Sequence, residues 1–314
     1  MVHDTQALSN EPDRAAPMHS RLNEWARRQG ERGWDALVYS SAYLALIAVA
    51  EVAVVMHLLS LPPNAAPVVV GLVTFAVYTS DRIADADTDA VSNPRQAAFA
   101  RRHRDVLYVL ASLSYGLAVA LSVLGGPVAL AITLLPGVFW ILYASDWVPA
   151  GGLPFHRLKE VLLVNSAVVA FAWAATLTFL PLAFADAAFT PTATVVFAYF
   201  FLATFVNAEI PNVRDVEGDR EIGVSTLPVV FGVRRTRHVL YGINLAVAAL
   251  AGYAALSGYL SAAAVLALLV GVGYSCAVTS FVGRTEREDA LVVAAECTFL
   301  FVFVALGVAR SLPV

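Results

Sequence analysis

Residues 207–232 read NAEIPNVRDVEGDREIGVSTLPVVFG, and here a nearly charge-free apolar run ends abruptly in a cluster of acids and arginines. Asn212, Asp215 and Asp219 stand at i, i+3 and i+7, a spacing that puts all three on one face of a helix. Two carboxylates one turn apart, with few cations able to reach both, repel each other, and a divalent cation between them removes the repulsion. Oxygen-only ligands point to magnesium, which keeps several waters and usually bridges to a substrate phosphate. Gly218 and Gly223 then loosen the helix, and Pro228 with Gly232 closes the stretch.

A second acidic cluster lies upstream in YTSDRIADADTDAVSNPRQ, where Asp81, Asp85 and Asp89 repeat every four residues at the end of another apolar run. Two such stripes, each at a membrane-helix end, have the layout to hold the two magnesium ions a diphosphate needs. The plainer reading makes them solvated membrane flanks. One-face spacing in both clusters, each abutting a span, weighs against it.

The surrounding chain is that of a polytopic, all-α membrane protein: 314 residues, 59% hydrophobic, 14% charged, with mean hydropathy +0.71. A net charge of −4 with dispersed arginines argues against nucleic-acid binding. Cys276 and Cys297 both fall in apolar runs, so neither a disulfide framework nor a cysteine metal site is implied. Nine segments are long enough to cross a bilayer at roughly 20 residues each: near 34–59, 65–84, 106–124, 127–145, 158–180, 192–212, 238–256, 259–281 and 289–311. Residues 1–33 read as a polar cytoplasmic leader, with Arg21 to Trp34 suited to a short interfacial helix or a disordered tail. Residues 34–314 form the transmembrane domain.

All of the 20 basic residues except Arg310 fall in alternate connections. The positive-inside rule then places the N-terminus in the cytoplasm, the C-terminus outside, and both aspartate clusters on the cytoplasmic side of the cell membrane. Four spans separate the clusters, a layout of two four-helix halves plus a ninth helix.

RDVEGDREIGVSTLPVVFG resembles the second aspartate motif of the UbiA superfamily of intramembrane prenyltransferases, with Asp215 and Asp219 as its acids, and DRIADADTD resembles the first. In the first, Asp81 stands where the family has asparagine and Arg82 where it has the next acid, while Asp85 and Asp89 match; this departure marks a divergent member. The resemblance runs from about residue 34 to the end, its specific part being the two motifs. It implies a nine-helix UbiA-like bundle and magnesium-dependent transfer of an isoprenyl group from a prenyl diphosphate to a lipophilic acceptor drawn from the bilayer: a quinone precursor, ether lipid, carotenoid or similar. Asp81, Asp85, Asp89, Asp215 and Asp219 become the implied metal ligands.

Further candidates for the diphosphate are Arg82, Arg214 and Asn212 inside the motifs, and Arg95 in an Asn-Pro-Arg that resembles the segment after the first motif. Arginine's fork suits phosphate oxygens, although Arg82 and Arg214 also have neighbouring acids to pair with. Asn93, Arg101, Arg102 and Arg104 lie in the same loop, the three arginines reading better as topology determinants, and Arg220 and Glu221 read as surface. YASDWVPAGGLPFHRLKEVLLVN resembles the family's lysine-then-asparagine region, which implies that Tyr143, Lys159 and Asn165 approach the diphosphate, with Lys159 on the leaving group. A lysine at a span's end serves equally as a membrane anchor.

Three acids fall inside spans, and the cost of burying a carboxylate requires each to face the bundle interior or stay protonated. Glu209, about one and a half turns before Asp215, is a candidate to lie near the prenyl or acceptor pocket, whereas Glu51 and Glu296 read as hydrogen-bonded packing residues. Aromatics such as Phe75, Tyr78, Phe139, Trp140, Phe171, Trp173 and Tyr199 either line an isoprenoid tunnel or pack and meet lipid. Two other classes fit less well. A cation-coupled transporter calls for interrupted spans and acids near the midplane, while these acids gather at one face. A catalytically degenerate UbiA-like lipid binder is favoured only by Arg82.

Overall fold

The computed structural model describes residues 18–87, 90, 93–144, 164–221 and 223–311, and every regular element among them is helical. Asp89 and Lys159 lie outside the described residues.

The polar helix α1 (Met18–Tyr39) leads into the apolar α2 (Ala42–Leu58) through a 64° bend. A single first span was the expectation, and the bend divides it. Ser41 sits there in the left-handed region (φ 67°), which costs a residue with a Cβ and stops helix propagation. The Ser40 carbonyl freed by the break accepts the Thr79 hydroxyl at 2.8 Å. The polarity contrast supplies the reason: α1 exposes Trp25 and Trp34 and suits a headgroup layer, while α2 buries most of its valines and leucines.

The chain continues through α3 (Ala66–Ala84), the short α4 (Pro94–Arg102), α5 (Arg104–Ser122) and, after one 3-10 turn, α6 (Gly126–Ala144). Beyond the connection come α7 (Val164–Phe184), α8 (Pro191–Arg214), the short α9 (Val216–Glu221) and α10 (Leu227–Phe231), then α11 (Val233–Leu256), α12 (Ala262–Phe281), α13 (Glu288–Glu296) and α14 (Thr298–Ser311). The packing follows the chain: α2 on α3, α3 on α5, α6 on α7, α7 on α8, α8 on α11, α11 on α12, α12 on α14, and α14 back on α2. The result is a closed bundle whose middle is crossed by contacts of α2 and α3 with α7.

Among the described residues, seven helices are long and apolar enough to cross a membrane, or up to eight if the bent pair counts as one. The chain is a multi-pass integral membrane protein. The difference from the nine expected spans has two sources. The first span is broken at Ser41, and Arg104–Trp140 qualifies as one apolar stretch of 37 residues although it contains α5, the 3-10 turn and most of α6.

Aromatic stacking fills the centre. Phe200 on α8 stacks on Phe299 on α14 with ring centroids 5.1 Å apart, and the buried Tyr199 hydroxyl donates to the Leu268 carbonyl at 3.3 Å. Leu113, Leu117, Leu245, Leu266 and Val304 point outward, as lipid-facing residues do. Helices in a bilayer gain from close backbone approach, and Gly271 supplies it: a Cβ there would collide with Val302 and lie 3.1 Å from the Tyr199 hydroxyl. Gly271→Leu is expected to cost about 1–3 kcal/mol by overpacking and to lower the unfolding temperature in detergent. Gly273→Leu, where a Cβ meets nothing within 4 Å, leaves that temperature nearly unchanged.

Candidate active site

Two helix ends build the site. α3 stops at Ala84 because the following Asp-Ala-Asp-Thr-Asp consists largely of residues that favour turns and caps over helix interiors. α8 ends at Arg214, with Pro211 in its last turn and Asp215 at its C-cap. The Asp215 N–H still donates to the Pro211 carbonyl (3.1 Å) and the Asp219 N–H to the Asp215 carbonyl (2.8 Å). Helical spacing therefore survives the junction into α9.

Both ends open on one cavity of about 800 Å³, a size typical of small-ligand sites. Asp81 and Asp85 line it from the α3 end; Asn212, Asp215 and Asp219 line it from the α8–α9 junction. Arg82, Arg95 and Arg214 reach the same cavity. Residues 130 positions apart in sequence thus share one wall-to-wall space. α1 and α4 meet beside it, with Tyr39 against Phe99 at 5.9 Å between centroids, and Trp34 and Tyr39 on its lining.

The charged groups hold one another in a definite pattern. Arg214 forms a two-pronged pair with Asp215, at 2.9 Å on each prong, and reaches Asp289 at 3.2 Å. Asp219 accepts from the Thr226 hydroxyl at 3.3 Å, and Asp81 accepts from the Trp140 indole N–H at 3.0 Å. Arg82 donates to Gln96. The described lining carries five carboxylates, with Asp289 the fifth, against three guanidiniums, an excess that calls for added positive charge.

These residues fit magnesium and a diphosphate. The donors are all hard oxygens, and the acids come from two opposed helix ends. Among the described residues no three acidic or imidazole groups converge tightly enough to form a closed cage. Magnesium does not need one, being held usually by one or two carboxylates plus phosphate and water.

The remaining candidates divide among the cavity, the protein surface and the core. Asn93 lines the cavity, but its side-chain oxygen caps α4 by accepting the Gln96 N–H at 3.2 Å. Arg101 is exposed and pairs with Asp87 at 3.4 Å; Arg102, Arg104, Arg220 and Glu221 are also exposed and away from the cavity. Glu209 is 1% exposed and turns away from the cavity, accepting from Asn212 at 3.2 Å and bonding with Ser166 and the Leu227 backbone. It ties α8 to α7 and α10, and it is not on the described lining of the large cavity. Tyr143 lies one residue before the end of α6 and Asn165 one residue after the start of α7, with only their backbones described. Tyr199 belongs to the core and Phe171 to the outer surface. Tyr78 and Trp173 stack at 5.5 Å beside a groove of about 130 Å³ that also touches Asp81, Phe139 and Trp140. Glu51 and Glu296, read from sequence as packing residues, face a third, small cavity.

The sequence reading missed Asp289, Tyr43, Gln96 and Tyr274, all on the lining of the large cavity. Asp289 sits in Arg-Glu-Asp before an apolar run and looks like any span flank. Only the fold brings it to Arg214.

The sequence profile of the UbiA prenyltransferase family matches residues 40–307. The chain belongs to that family. A digeranylgeranylglyceryl phosphate synthase of Methanoregula boonei is 27% identical over 179 residues, 55% of this chain and 58% of that protein. The chain therefore spans little more than half the length of this curated relative. A UbiA homologue of Archaeoglobus fulgidus bound to GPP and Mg2+ superposes with a TM-score of 0.64 at 14% identity, covering 88% of this chain and 100% of the other. The ligand-free UbiA homologue of Aeropyrum pernix K1 gives 0.64 at 16% identity, covering 85% and 98%. At these identities the solved structures speak for the UbiA fold.

Proposed function

We propose that this UbiA-family protein transfers an isoprenyl group from an allylic diphosphate to a lipophilic acceptor, using magnesium. The observation that carries the proposal is the single cavity shared by Asp81, Asp85, Asp215 and Asp219, with Arg82, Arg95 and Arg214 on its wall. Asp85 from one motif, and Asp215 with Asp219 from the other, would hold the magnesium ions, with Asp81 and, by its place in the first motif, Asp89 as further ligands. When bound, magnesium neutralises the diphosphate and so favours cleavage of the allylic carbon–oxygen bond. Arg95 and Lys159 share the charge of the leaving group, and Arg82, Arg214, Asn212, Tyr143 and Asn165 position it. The aromatic groove around Tyr78 and Trp173 offers ring faces to an allylic cation and keeps bulk water away.

The same reading gives residues 34–314 as the prenyltransferase domain after a polar leader. It gives nine crossings, with α5 and α6 as separate spans; the approach of Tyr115 to Gly137 across the turn at Gly126 favours this, since an antiparallel hairpin brings such positions together. The N-terminus and the aspartates then face the cytoplasm, the C-terminus lies outside, and the acceptor enters from the lipid. The digeranylgeranylglyceryl phosphate synthases among the relatives make an ether lipid one acceptor class to test first.

Purified protein in lipid, given allylic diphosphates of several chain lengths and a lipid extract, is expected to release diphosphate only with magnesium and to form a new lipid product detectable by mass spectrometry. Tight magnesium-dependent donor binding without release would instead favour the degenerate lipid-binding homologue, the reading that Arg82 supports. Absence of both binding and release would overturn the proposal.

A further inference from the structure

Below the aspartates lies a second polar site that the diphosphate chemistry does not use. A small cavity of about 40 Å³ is lined by Glu51 of α2, Glu296 of α13, and Asn207 and Thr204 of α8. It shares Leu44 and Tyr78 with the large cavity, so the two adjoin. Counted along their helices from the bend at Ser41, from Glu288 and from Arg214, the two acids and the asparagine lie roughly 10–15 Å into the bundle at 1.5 Å per residue. That depth is near the middle of a hydrocarbon core about 30 Å thick.

Polar groups at such depth are costly unless hydrogen-bonded. Asn207 is 3% exposed, lines this cavity, and has no partner for its side-chain N–H2 among the described residues; the Thr204 hydroxyl is likewise unpartnered there. An unsatisfied buried donor facing a space with room for one or two heavy atoms calls for an oxygen placed in that space, from water or from a ligand that displaces it.

We infer that the Glu51–Glu296–Asn207 cavity binds an uncharged oxygen, a hydroxyl or a carbonyl, on the lipophilic acceptor. Three observations fix the class. The cavity presents both donors (Asn207, Thr204) and acceptors (the carboxyl oxygens), which suits a neutral oxygen. Its described lining includes no basic side chain, and two carboxyls repel an anionic headgroup. A prenyl donor carries no polar atom beyond its diphosphate, so a substrate oxygen that displaces water here belongs to the acceptor. The inference rests on the prenyl-transfer reading above, and narrows the acceptor to a lipid with a neutral oxygen buried in the bundle, disfavouring a plain hydrocarbon.

Farnesol and its deoxy analogue, the hydrocarbon with the same triene chain and hydrogen in place of the hydroxyl (hereafter deoxyfarnesol), are suitable probes. Their binding to the full chain in lipid nanodiscs is measured by competition against a photoreactive farnesol analogue, with GPP and magnesium saturating the upper site. Farnesol is expected to compete about tenfold better than deoxyfarnesol, the discrimination expected from one well-made buried hydrogen bond. Asn207→Leu and the isosteric Glu51→Gln should each reduce that preference several-fold, while magnesium-dependent GPP binding stays at the wild-type level. Equal competition by the two probes in the wild type, or a preference retained in both variants, overturns the inference. Loss of GPP binding in the wild type instead strikes the prenyl-transfer reading itself and removes the basis of this one. If Asn207→Leu fails to fold, Glu51→Gln alone decides, since it keeps the shape of the side chain.

Discussion

Asp215→Ala combined with Asp219→Ala is expected to reduce magnesium-dependent diphosphate release by about 10³-fold or more, on the scale of losing preorganised stabilisation of a leaving group. These two acids form the α8–α9 side of the cavity, opposite Asp81 and Asp85. Removing them would leave that helix end without the carboxylates proposed to hold a second magnesium, which would supply charge to neutralise the diphosphate. The loss should not come from unfolding. Asp219 has a hydrogen bond to Thr226 that is only part-buried, and Asp215 pairs with an arginine that retains Asp289. A thermal shift separates the explanations: wild-type protein is expected to gain unfolding temperature with GPP plus magnesium, as any ligand bound to the native state requires. The double variant unfolds near the ligand-free wild type and gains little. A control at the exposed Arg101–Asp87 pair, Arg101→Ala, should change neither readout, since exposed pairs contribute about 0–1 kcal/mol. Metal-dependent release that persisted in the double variant would sink the proposed role of the second motif.

Much of this site is legible from residue spacing alone. The intervals Asn212–Asp215–Asp219 and Asp81–Asp85 put acids on one helix face, and that face is the cavity side in both cases. Membrane crossing also follows from the apolar runs, because every backbone polar group in lipid must be satisfied within a helix. The break at Ser41 was not legible: two serines in an apolar run are compatible with a continuous helix, and the bend depends on Thr79 reaching the Ser40 carbonyl from another helix. Asn93 did carry a readable signal, for an asparagine immediately before proline is a strong helix start, with proline at the first helical position. The neighbouring Arg95, Arg101, Arg102 and Arg104 make the same asparagine a candidate for phosphate as well. Glu51 and Glu296 show the limit of pattern reading in another way. Their depth follows from position in the run, but that they face one pocket depends on how α2, α8 and α13 pack. Asp289 was hidden for the same reason, its partner Arg214 lying 75 residues earlier.

Arg214→Ala should produce two effects of opposite sign, and their opposition is the test. In the ligand-free protein the guanidinium, with 15% of its side chain exposed, is shared by Asp215 and Asp289. Deleting it leaves two carboxylates on the cavity wall without their cation. A fully buried pair broken this way costs about 3–5 kcal/mol; solvent access at Asp215 and especially Asp289 reduces the expectation here to about 1–2 kcal/mol, seen as a lower unfolding temperature without magnesium. The same deletion frees both oxygens of Asp215 from their arginine, so a cation entering the site no longer displaces a two-pronged charge-assisted pair. Half-saturation by magnesium should therefore fall about tenfold, one such bond's worth, and added magnesium should restore much of the lost stability. Turnover is nevertheless expected to drop by roughly 10²-fold, because the diphosphate loses a fixed positive charge that water cannot replace. Arg214→Lys falls between, keeping the charge but not the fork. Unfolding temperature and magnesium half-saturation both unchanged in Arg214→Ala would mean that the pair with Asp215 does not persist in the membrane-bound protein. If it does persist, the proposed role of the arginine at the end of α8 is to hold the second motif together until metal and donor arrive, and then to turn its charge from the protein's own carboxylate to the substrate.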